Sequence, residues 1–301
     1  MKYKHSNPLI SIIIPSFNQG NYLEETILSV IQQDFSDFEL IIIDGGSTDN
    51  SVSIIEKYSE HIAYWVSEAD NGQAHAINKG LAVAKGEWVN YLNSDDCFLK
   101  DAFKYLFTEI KYDKYDFLYG NGYNGRSIEV AKENKHPSGF KKKLKHILRF
   151  FYNEKYIIPS QSVFIRKSVI DAIGCLDESL HYCMDLDWYC RVYLYTEKRL
   201  FYNKTICFFR LNEITKTGNS SSNVKMKYEA IMIAERYLKY LSFFDKIVLK
   251  ELIRYYKSLL KLAPRSKFLD IIKVGIRFPY FGFWDITYKS ILKQYLLNLN
   301  S

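Results

Sequence analysis

Residues 9–18 read LISIIIPSFN, a continuous apolar run with an abrupt polar end. The run is rich in β-branched side chains and shows no alternation, which is typical of a central parallel strand covered on both faces. Pro15 ends it, and Ser16 and Asn18 follow closely. The stretch therefore predicts a buried first strand with polar side chains at its carboxyl end.

The same strand-then-polar pattern recurs along the chain, with helical spacing of apolar residues between the strands. Such alternation with short connections predicts an α/β fold: a mostly parallel, Rossmann-like sheet with helices on both faces. The predicted strands are 9–14, 38–43, 62–66, 88–92, 116–119 and 157–165, and the predicted helices include 71–84, 101–110, 168–173 and 181–195. From 120 to 156 the pattern is lost.

Polar clusters follow four of these strands directly, at 16–18, 44–49, 68–70 and 93–96. In open α/β sheets ligands bind beyond the carboxyl ends of the strands. The sequence therefore predicts one ligand site at which the four clusters meet.

The tetrapeptide Asn93-Ser94-Asp95-Asp96 places two adjacent carboxylates at the end of a buried strand. Such charges must stay solvated or gain a cation, because burying unpaired charge is costly. A divalent cation holding phosphates and an Asp-rich turn before the next helix both explain the motif. Asp44 also has two possible roles. It would accept hydrogen bonds from a base or a ribose, or it would cap the turn at Gly45-Gly46.

A second acidic motif, Met184-Asp185-Leu186-Asp187-Trp188, lies in a predicted helix. Asp185 and Asp187 point about 200° apart on a helix, so they cannot share one task. Asp187 stands four residues before Arg191, which predicts an ion pair. Asp185 has no such partner and is the better candidate for a general base.

Dinucleotide-dependent redox enzymes lose support, because no G-x-G-x-x-G follows the first strand. P-loop phosphoryl-transfer enzymes lose support as well, because the chain contains no P-loop motif. Five scattered cysteines favour a reducing compartment over a disulfide framework. The N-terminus does not read as a signal peptide, and no apolar run reaches the ~20 residues that span a bilayer. We therefore expect a cytoplasmic protein.

Charge divides the chain near residue 220. Residues 221–301 carry 15 Lys and Arg against 6 Asp and Glu, a net charge of +9, whereas the first 220 residues carry −2. Residues 217–223 read as a linker, which predicts a first domain at 1–220 and a basic, aromatic-rich helical region at 221–301. Within it, 246–263 forms a basic amphipathic pattern that suits either docking on the first domain or peripheral contact with the anionic inner face of the plasma membrane. We expect no nucleic-acid partner.

Taken in order, the motifs at 11–18, 43–49, 71–80 and 92–96 resemble family 2 glycosyltransferases with the GT-A fold. The later stretches 160–161, 177–191 and 209–217 match as well, so the resemblance covers about 210 residues with a gap at 121–156. The branch that is most similar makes bacterial surface polysaccharides such as O-antigen or capsule.

The resemblance implies roles for individual residues. Asp44 would read a uracil-like base, Asp95 and Asp96 would hold Mg²⁺ or Mn²⁺ and touch the ribose, and Asp185 would be the catalytic base. Further donor-binding residues would be Pro15, Ser16, Asn18, Lys79 and Asn93.

The chain departs from the family pattern at three positions. Asn93 replaces the first carboxylate of the metal motif, Met184 replaces a more usual Glu, and Asn212 replaces a frequent His.

These features predict an inverting, metal-dependent glycosyltransferase that moves a sugar from a nucleotide-sugar, expected to be UDP-linked, to a saccharide acceptor, expected to be lipid-linked. A cation stabilises the diphosphate leaving group and a base deprotonates the acceptor hydroxyl in such a reaction. The alternatives are a nucleotidyltransferase of similar fold and a non-catalytic nucleotide-sugar binding protein.

Overall fold

The computed structural model describes residues 7–128, 143–148, 158–211 and 220–261. The strands are β1 Ile10–Ser16, β2 Phe38–Asp44, β3 Tyr64–Ser67, β4 Trp88–Tyr91, β5 Cys97–Phe98, β6 Phe117–Gly125, β7 Val163–Arg166 and β8 Arg199–Arg210. The α-helices are α1 Leu23–Ile31, α2 Ser51–Lys57, α3 Gln73–Val83, α4 Ala102–Phe107, α5 Leu144–Ile147, α6 Lys167–Ile173, α7 Met184–Tyr195, α8 Ser220–Tyr237 and α9 Phe243–Leu260.

All eight strands join one sheet in the order β3-β2-β1-β4-β7-β6-β8-β5. β1 runs parallel to both β2 and β4, β2 runs parallel to β3, and β6 runs parallel to β8, whereas β7 and β5 are antiparallel to their neighbours. The predicted mostly parallel α/β sheet is therefore confirmed. The register pairs Ser16 with Asp44 and Asp44 with Ser67, so the polar ends of β1, β2 and β3 lie side by side.

Alternate side chains of β1 enter different cores, which explains why isoleucines stand at successive positions of the strand. Ile12 and Ile14 pack into a core with helices α1, α2 and α4, whereas Ile13 packs into a second core with α3, α6 and α7. All three isoleucines are fully buried. A strand covered on both faces has no solvent side on which polar residues would be favoured.

The structure extends the predicted sheet at its far side. β6 continues to Gly125, six residues beyond the predicted end, and β5 and β8 were not predicted as strands. Gly and Asn in the second half of β6 have low strand propensity. Long pairing with β8, from Phe117 beside Arg199 to Gly125 beside Arg210, supplies the stabilisation that local sequence does not show.

Two predicted boundaries around the C-terminal region are wrong. α8 begins at Ser220, so residues 220–223 of the predicted linker are helical. The helix predicted from about 181 begins at Met184, and a side chain of α8 accepts hydrogen bonds from the three preceding N–H groups.

The C-terminal helices α8 and α9 belong to the larger of the two cores. Ala230, Ile233 and Ala234 of α8 and Leu249 and Tyr256 of α9 are buried in the cluster that contains Ile13 and residues of α7. The apolar face of the predicted amphipathic helix therefore docks on the protein. No helix in the described ranges is long and apolar enough to cross a membrane. The boundary near 220 stays a prediction, and Asn212 and residues 262–301 lie outside the described ranges.

Candidate active site

The turn after β2 is organised by Asp44. Its Oδ2 accepts hydrogen bonds from the N–H groups of Gly46 (3.1 Å) and Ser47 (2.8 Å) and from the Ser67 hydroxyl (2.7 Å), while Oδ1 accepts one from the Ser47 hydroxyl. The Asp44 side chain is fully buried. Of the two roles left open by the sequence, the contacts are those of a turn cap.

The end of β1 is joined to the same turn by Asn18. Its side-chain oxygen accepts the N–H of Thr48 (2.9 Å), and its own N–H donates to the Ser47 hydroxyl (2.7 Å). Asn18 has φ of +51°, a left-handed conformation that Asn tolerates better than most residues. Pro15 and Ser16 are buried directly before it. The predicted donor-binding residues of β1 thus lie at the carboxyl edge, beside the Asp44 turn.

The two carboxylates after β4 have different surroundings. Asp96 is fully buried, and its oxygens accept hydrogen bonds from the Arg210 N–H (2.8 Å), the Asn93 amide (2.9 Å) and the Gln161 amide. Burial and the neighbouring Asp95 charge raise the pKa of Asp96 to about 8, and the three hydrogen bonds act in the opposite direction. Asp95 is only half-buried, so it is the more accessible carboxylate of the pair.

Arg210 and Gln161 hold this loop from distant parts of the chain. The Arg210 guanidinium donates to the Asp95 carbonyl oxygen (2.9 Å) and to the Glu25 carboxylate (2.5 Å), in addition to the backbone bond to Asp96. Both residues lie in stretches that match the family pattern, yet no role followed from their sequence positions. These two residues reach the loop after β4 because β7 and β8 belong to the same sheet as β4.

Helix α3 brings two further polar side chains to this edge. Lys79, predicted to bind the donor, pairs with Glu68 at 2.7 Å and is 23% exposed. The Gln73 amide donates to the side-chain oxygen Oδ1 of Asn93 at 2.6 Å, so the Asn93 side chain is held between α3 and Asp96.

Asp185 lies in the first turn of α7 and is half-buried. Its Oδ1 accepts the N–H of Leu186 at 2.7 Å. Burial raises the pKa of Asp185 to about 6; the Leu186 N–H lowers it, and the Glu229 charge raises it further. A carboxylate with a pKa near 6 is charged at neutral pH and is a stronger base than an ordinary Asp, as a general base requires.

The start of α7 is capped from helix α8 by Glu229. One carboxylate oxygen of Glu229 accepts the N–H of His181 (3.0 Å), and the other accepts those of Tyr182 (2.7 Å) and Cys183 (2.9 Å). These N–H groups come just before the helix and would otherwise need water. Nothing in the sequence pattern identified Glu229, because 46 to 48 residues separate it from these partners.

Asp187 has the structural role that its spacing predicts. It is 2% exposed and pairs with Arg191 at 3.0 Å, which confirms the predicted ion pair. Arg236 (2.7 Å) and the Tyr237 hydroxyl (3.0 Å), both from α8, complete its shell. The two acidic residues of the motif therefore serve different tasks.

Tyr91 places the two acidic centres in one region. This residue ends β4 and packs on Trp188 of α7 with ring centroids 6.5 Å apart. Burial raises the pKa of Tyr91, and the charges of Asp185 and Asp96 raise it further, so both carboxylates are close to it.

Beside this region, a small cavity of about 40 Å³ is lined by the start of α3 and by residues 178–184. A larger cavity of about 450 Å³ adjoins Leu194 and Tyr195 at the opposite end of α7 and does not touch the acidic residues.

The donor atoms fit a divalent cation that shares its ligands with a phosphate. Asp95 offers a hard carboxylate on a half-buried side chain, and the buried Asp96 carboxylate accepts hydrogen bonds at both oxygens. Among the described residues no group of three or more His, Cys, Asp or Glu side chains could hold a metal ion. A cation at this edge would therefore need oxygen ligands from the bound donor, since Mg²⁺ in particular is commonly held by one or two carboxylates and substrate phosphates.

The chain belongs to glycosyl transferase family 2, whose family model matches residues 11–173. It is therefore a glycosyltransferase. A relative from Campylobacter jejuni, GalNAc(5)-diNAcBac-PP-undecaprenol beta-1,3-glucosyltransferase, is 29% identical over 269 residues, which cover 86% of this chain and 84% of the relative.

Solved structures share the GT-A fold. S. aureus TarS 1–349 in complex with UDP-GlcNAc aligns with a TM-score of 0.59 and 18% identity, covering 96% of this chain and 92% of that chain. Mannosyltransferase PcManGT from Pyrobaculum calidifontis, in complex with GDP-Man and Mn²⁺, aligns with a TM-score of 0.56 and 14% identity, covering 97% and 85%. The fold predicted from the motifs is thereby confirmed.

Proposed function

We propose that this enzyme transfers a sugar from a UDP-sugar to a saccharide acceptor in bacterial surface-polysaccharide synthesis, with inversion at the anomeric carbon. The observation that carries the proposal is the half-buried Asp185, with its raised pKa, near the end of β4, where Tyr91 packs on Trp188 of the same helix and feels the charges of both Asp185 and Asp96. A base beside a phosphate-binding edge is the pair of parts that such a transfer requires. Family membership argues against the two alternatives, nucleotidyl transfer and binding without catalysis.

In this mechanism Asp185 accepts the proton of an acceptor hydroxyl while that oxygen forms a bond to the anomeric carbon. The bond from that carbon to the diphosphate breaks on the opposite face, and UDP leaves with the electron pair. One carboxylate facing the leaving group gives direct displacement and therefore inversion. Asp187 cannot replace Asp185, because three side chains already surround it.

Asp95 is the proposed protein ligand for Mg²⁺ or Mn²⁺. When bound, the cation would neutralise charge that develops on the diphosphate. Metal binding through Asp96, also expected from the sequence, would require this side chain to give up bonds to Arg210, Asn93 or Gln161. We therefore propose that Asp96 chiefly fixes the loop that presents Asp95.

The acceptor class is inferred from the Campylobacter relative, whose name states a glycan linked through diphosphate to undecaprenol. A lipid-linked acceptor would require this enzyme to work at a membrane surface. The direct test of the proposed function is to incubate the protein with a panel of UDP-sugars and Mn²⁺ and to measure UDP release. Release from at least one UDP-sugar, stimulated by the cation, supports the proposal, and its absence across the panel contradicts it.

Glu229→Gln should move the acid limb of the pH–rate profile to lower pH. The charge of Glu229 raises the pKa of Asp185, so its removal lowers that pKa and keeps the base ionised in more acidic solution. Tyr91, Tyr189 and Cys183 also face Asp185, and each has a pKa raised chiefly by burial, so they stay neutral in this range.

The measurement is kcat/KM from pH 5 to 8, with Glu235→Gln as control, since Glu235 is exposed on α8 and pairs with Lys257 on α9. An acid limb that stays in place in Glu229→Gln would contradict the proposed coupling.

An exposed aromatic pair marks the proposed membrane-facing surface. Phe243 and Phe244, at the start of α9, are 72% and 78% exposed, and the basic residues Lys246 and Lys250 follow them. Replacing both phenylalanines with Ser should weaken binding to vesicles rich in anionic lipid by roughly tenfold or more, since each buried Phe is worth ~1.5–3 kcal/mol.

Vesicle co-sedimentation measures this effect. The matched control is Tyr228→Ser with Met232→Ser, two exposed residues of α8. Equal sedimentation of both double variants and the unmodified protein would contradict a role for Phe243 and Phe244.

A further inference from the structure

Gly45, directly after β2, leaves a space that the side chain of Asp70 fills. A Cβ at position 45 would lie 2.7 Å from Oδ2 of Asp70 and 3.1 Å from its carboxyl carbon. Because such distances are shorter than van der Waals contact, a side chain at 45 and the observed position of Asp70 exclude each other. The carboxylate of Asp70 therefore occupies the position beside the Asp44 turn that a side chain at residue 45 would otherwise fill.

Asp70 is better suited than Asp44 to contact a ligand at this edge. The oxygens of Asp44 accept four hydrogen bonds from within the protein and are fully buried. Asp70 is half-buried, and its Oδ1 accepts the N–H of Gly72 at 2.7 Å. In the described part of the chain, Oδ2 of Asp70 has no hydrogen-bond donor.

We propose that Asp70, and not Asp44, recognises the base of the donor nucleotide, by accepting the N3–H of a uracil ring at Oδ2. This inference rests on the proposed function, since it requires a UDP-linked donor. The loop after β3 lies beside the turn after β2, and both are at the carboxyl edge where nucleotides bind in such sheets. A carboxylate acceptor opposite a ring N–H gives a charge-assisted hydrogen bond, which is stronger than a neutral one.

The glycine at 45 is part of the same arrangement. Gly45→Ala should displace the Asp70 carboxylate without removing it, because the new Cβ would collide with Oδ2. Asp70→Asn keeps an oxygen for the Gly72 N–H and replaces the acceptor Oδ2 with an N–H₂ donor. The two substitutions thus test one contact through different residues.

The experiment measures binding of UDP and of N3-methyl-UDP by calorimetry with Mn²⁺ present. We expect Asp70→Asn to bind UDP about tenfold more weakly, equivalent to about 1.4 kcal/mol, and Gly45→Ala to change affinity in the same direction. The unmodified protein should bind N3-methyl-UDP more weakly than UDP, and Asp70→Asn should lose this discrimination. The control is Glu60→Gln, an exposed carboxylate that precedes β3.

Unchanged UDP affinity in Asp70→Asn, or retained discrimination against the methylated base, would overturn the assignment while leaving the proposed glycosyl transfer intact. If Asp70→Asn does not fold, Gly45→Ala decides by the same two readouts. Failure of the unmodified protein to bind UDP would instead contradict the UDP-linked donor of the proposed function, and the inference would fall with it.

Discussion

Asp185→Asn is expected to lower kcat for sugar transfer by roughly 10²- to 10⁴-fold, the range associated with loss of a general base. The amide retains the shape and can still accept the Leu186 N–H, but it cannot take a proton at neutral pH. Affinity for UDP should stay close to that of the unmodified protein, because Asp185 is proposed to act on the acceptor. In the unmodified enzyme, kcat/KM should fall as pH drops through about 6, where Asp185 becomes protonated.

Single-turnover transfer and UDP titration, measured on the same preparation, separate these two effects. Asp171→Asn is a suitable control, since this exposed carboxylate of α6 pairs with Lys167 and lies outside the site. Transfer at an unchanged rate in Asp185→Asn would show that Asp185 is not the general base.

Asp95→Asn is expected to weaken Mn²⁺-dependent UDP binding by roughly tenfold or more, because cation affinity depends on the charge of few protein ligands. The fold should be retained, as Asp95 is half-buried and the main contact with Arg210 uses its backbone oxygen. UDP titrations with Mn²⁺ and with a chelator measure the difference between the two conditions. An equal difference in Asp95→Asn and in the unmodified protein would contradict the assignment.

Asp96→Asn provides the comparison within the same motif. Its amide nitrogen would face either the Arg210 N–H or the donors of Asn93 and Gln161, so at least one buried donor would lose its acceptor. Such a loss costs about 1–3 kcal/mol. We therefore expect a lowered Tm in Asp96→Asn and not in Asp95→Asn. If the reverse holds, the division of roles within the motif is wrong.

Local sequence was sufficient for the strands and helices between residues 9 and 92. The strands β1, β2 and β4 are short apolar runs ended by polar residues, and each begins within one residue of its predicted start. Their order along the chain and the right-handed connections of parallel sheets bring the polar ends to one edge. The pairing of Asp187 with Arg191 was predictable for a related reason, since a spacing of four residues on a helix defines a contact.

Contacts between distant segments could not be read in this way. Asp96 depends on Gln161 and Arg210, Asp185 on Glu229, and Asp187 on Arg236 and Tyr237, at sequence separations from 44 to 114 residues. Helices α8 and α9, the described part of the basic C-terminal region, share a core with the sheet, and α8 caps the helix of the proposed base.

Apolar periodicity and strand-end carboxylates thus define the α/β sheet, its ligand edge and the residues able to act there, because these are properties of neighbours in the chain. Which carboxylate is buried and saturated with hydrogen bonds depends on donors brought by other strands and helices. Nothing in the neighbouring sequence separates Asp44 and Asp96 from Asp70 and Asp95, because their different burial and hydrogen bonds arise only when the chain has folded.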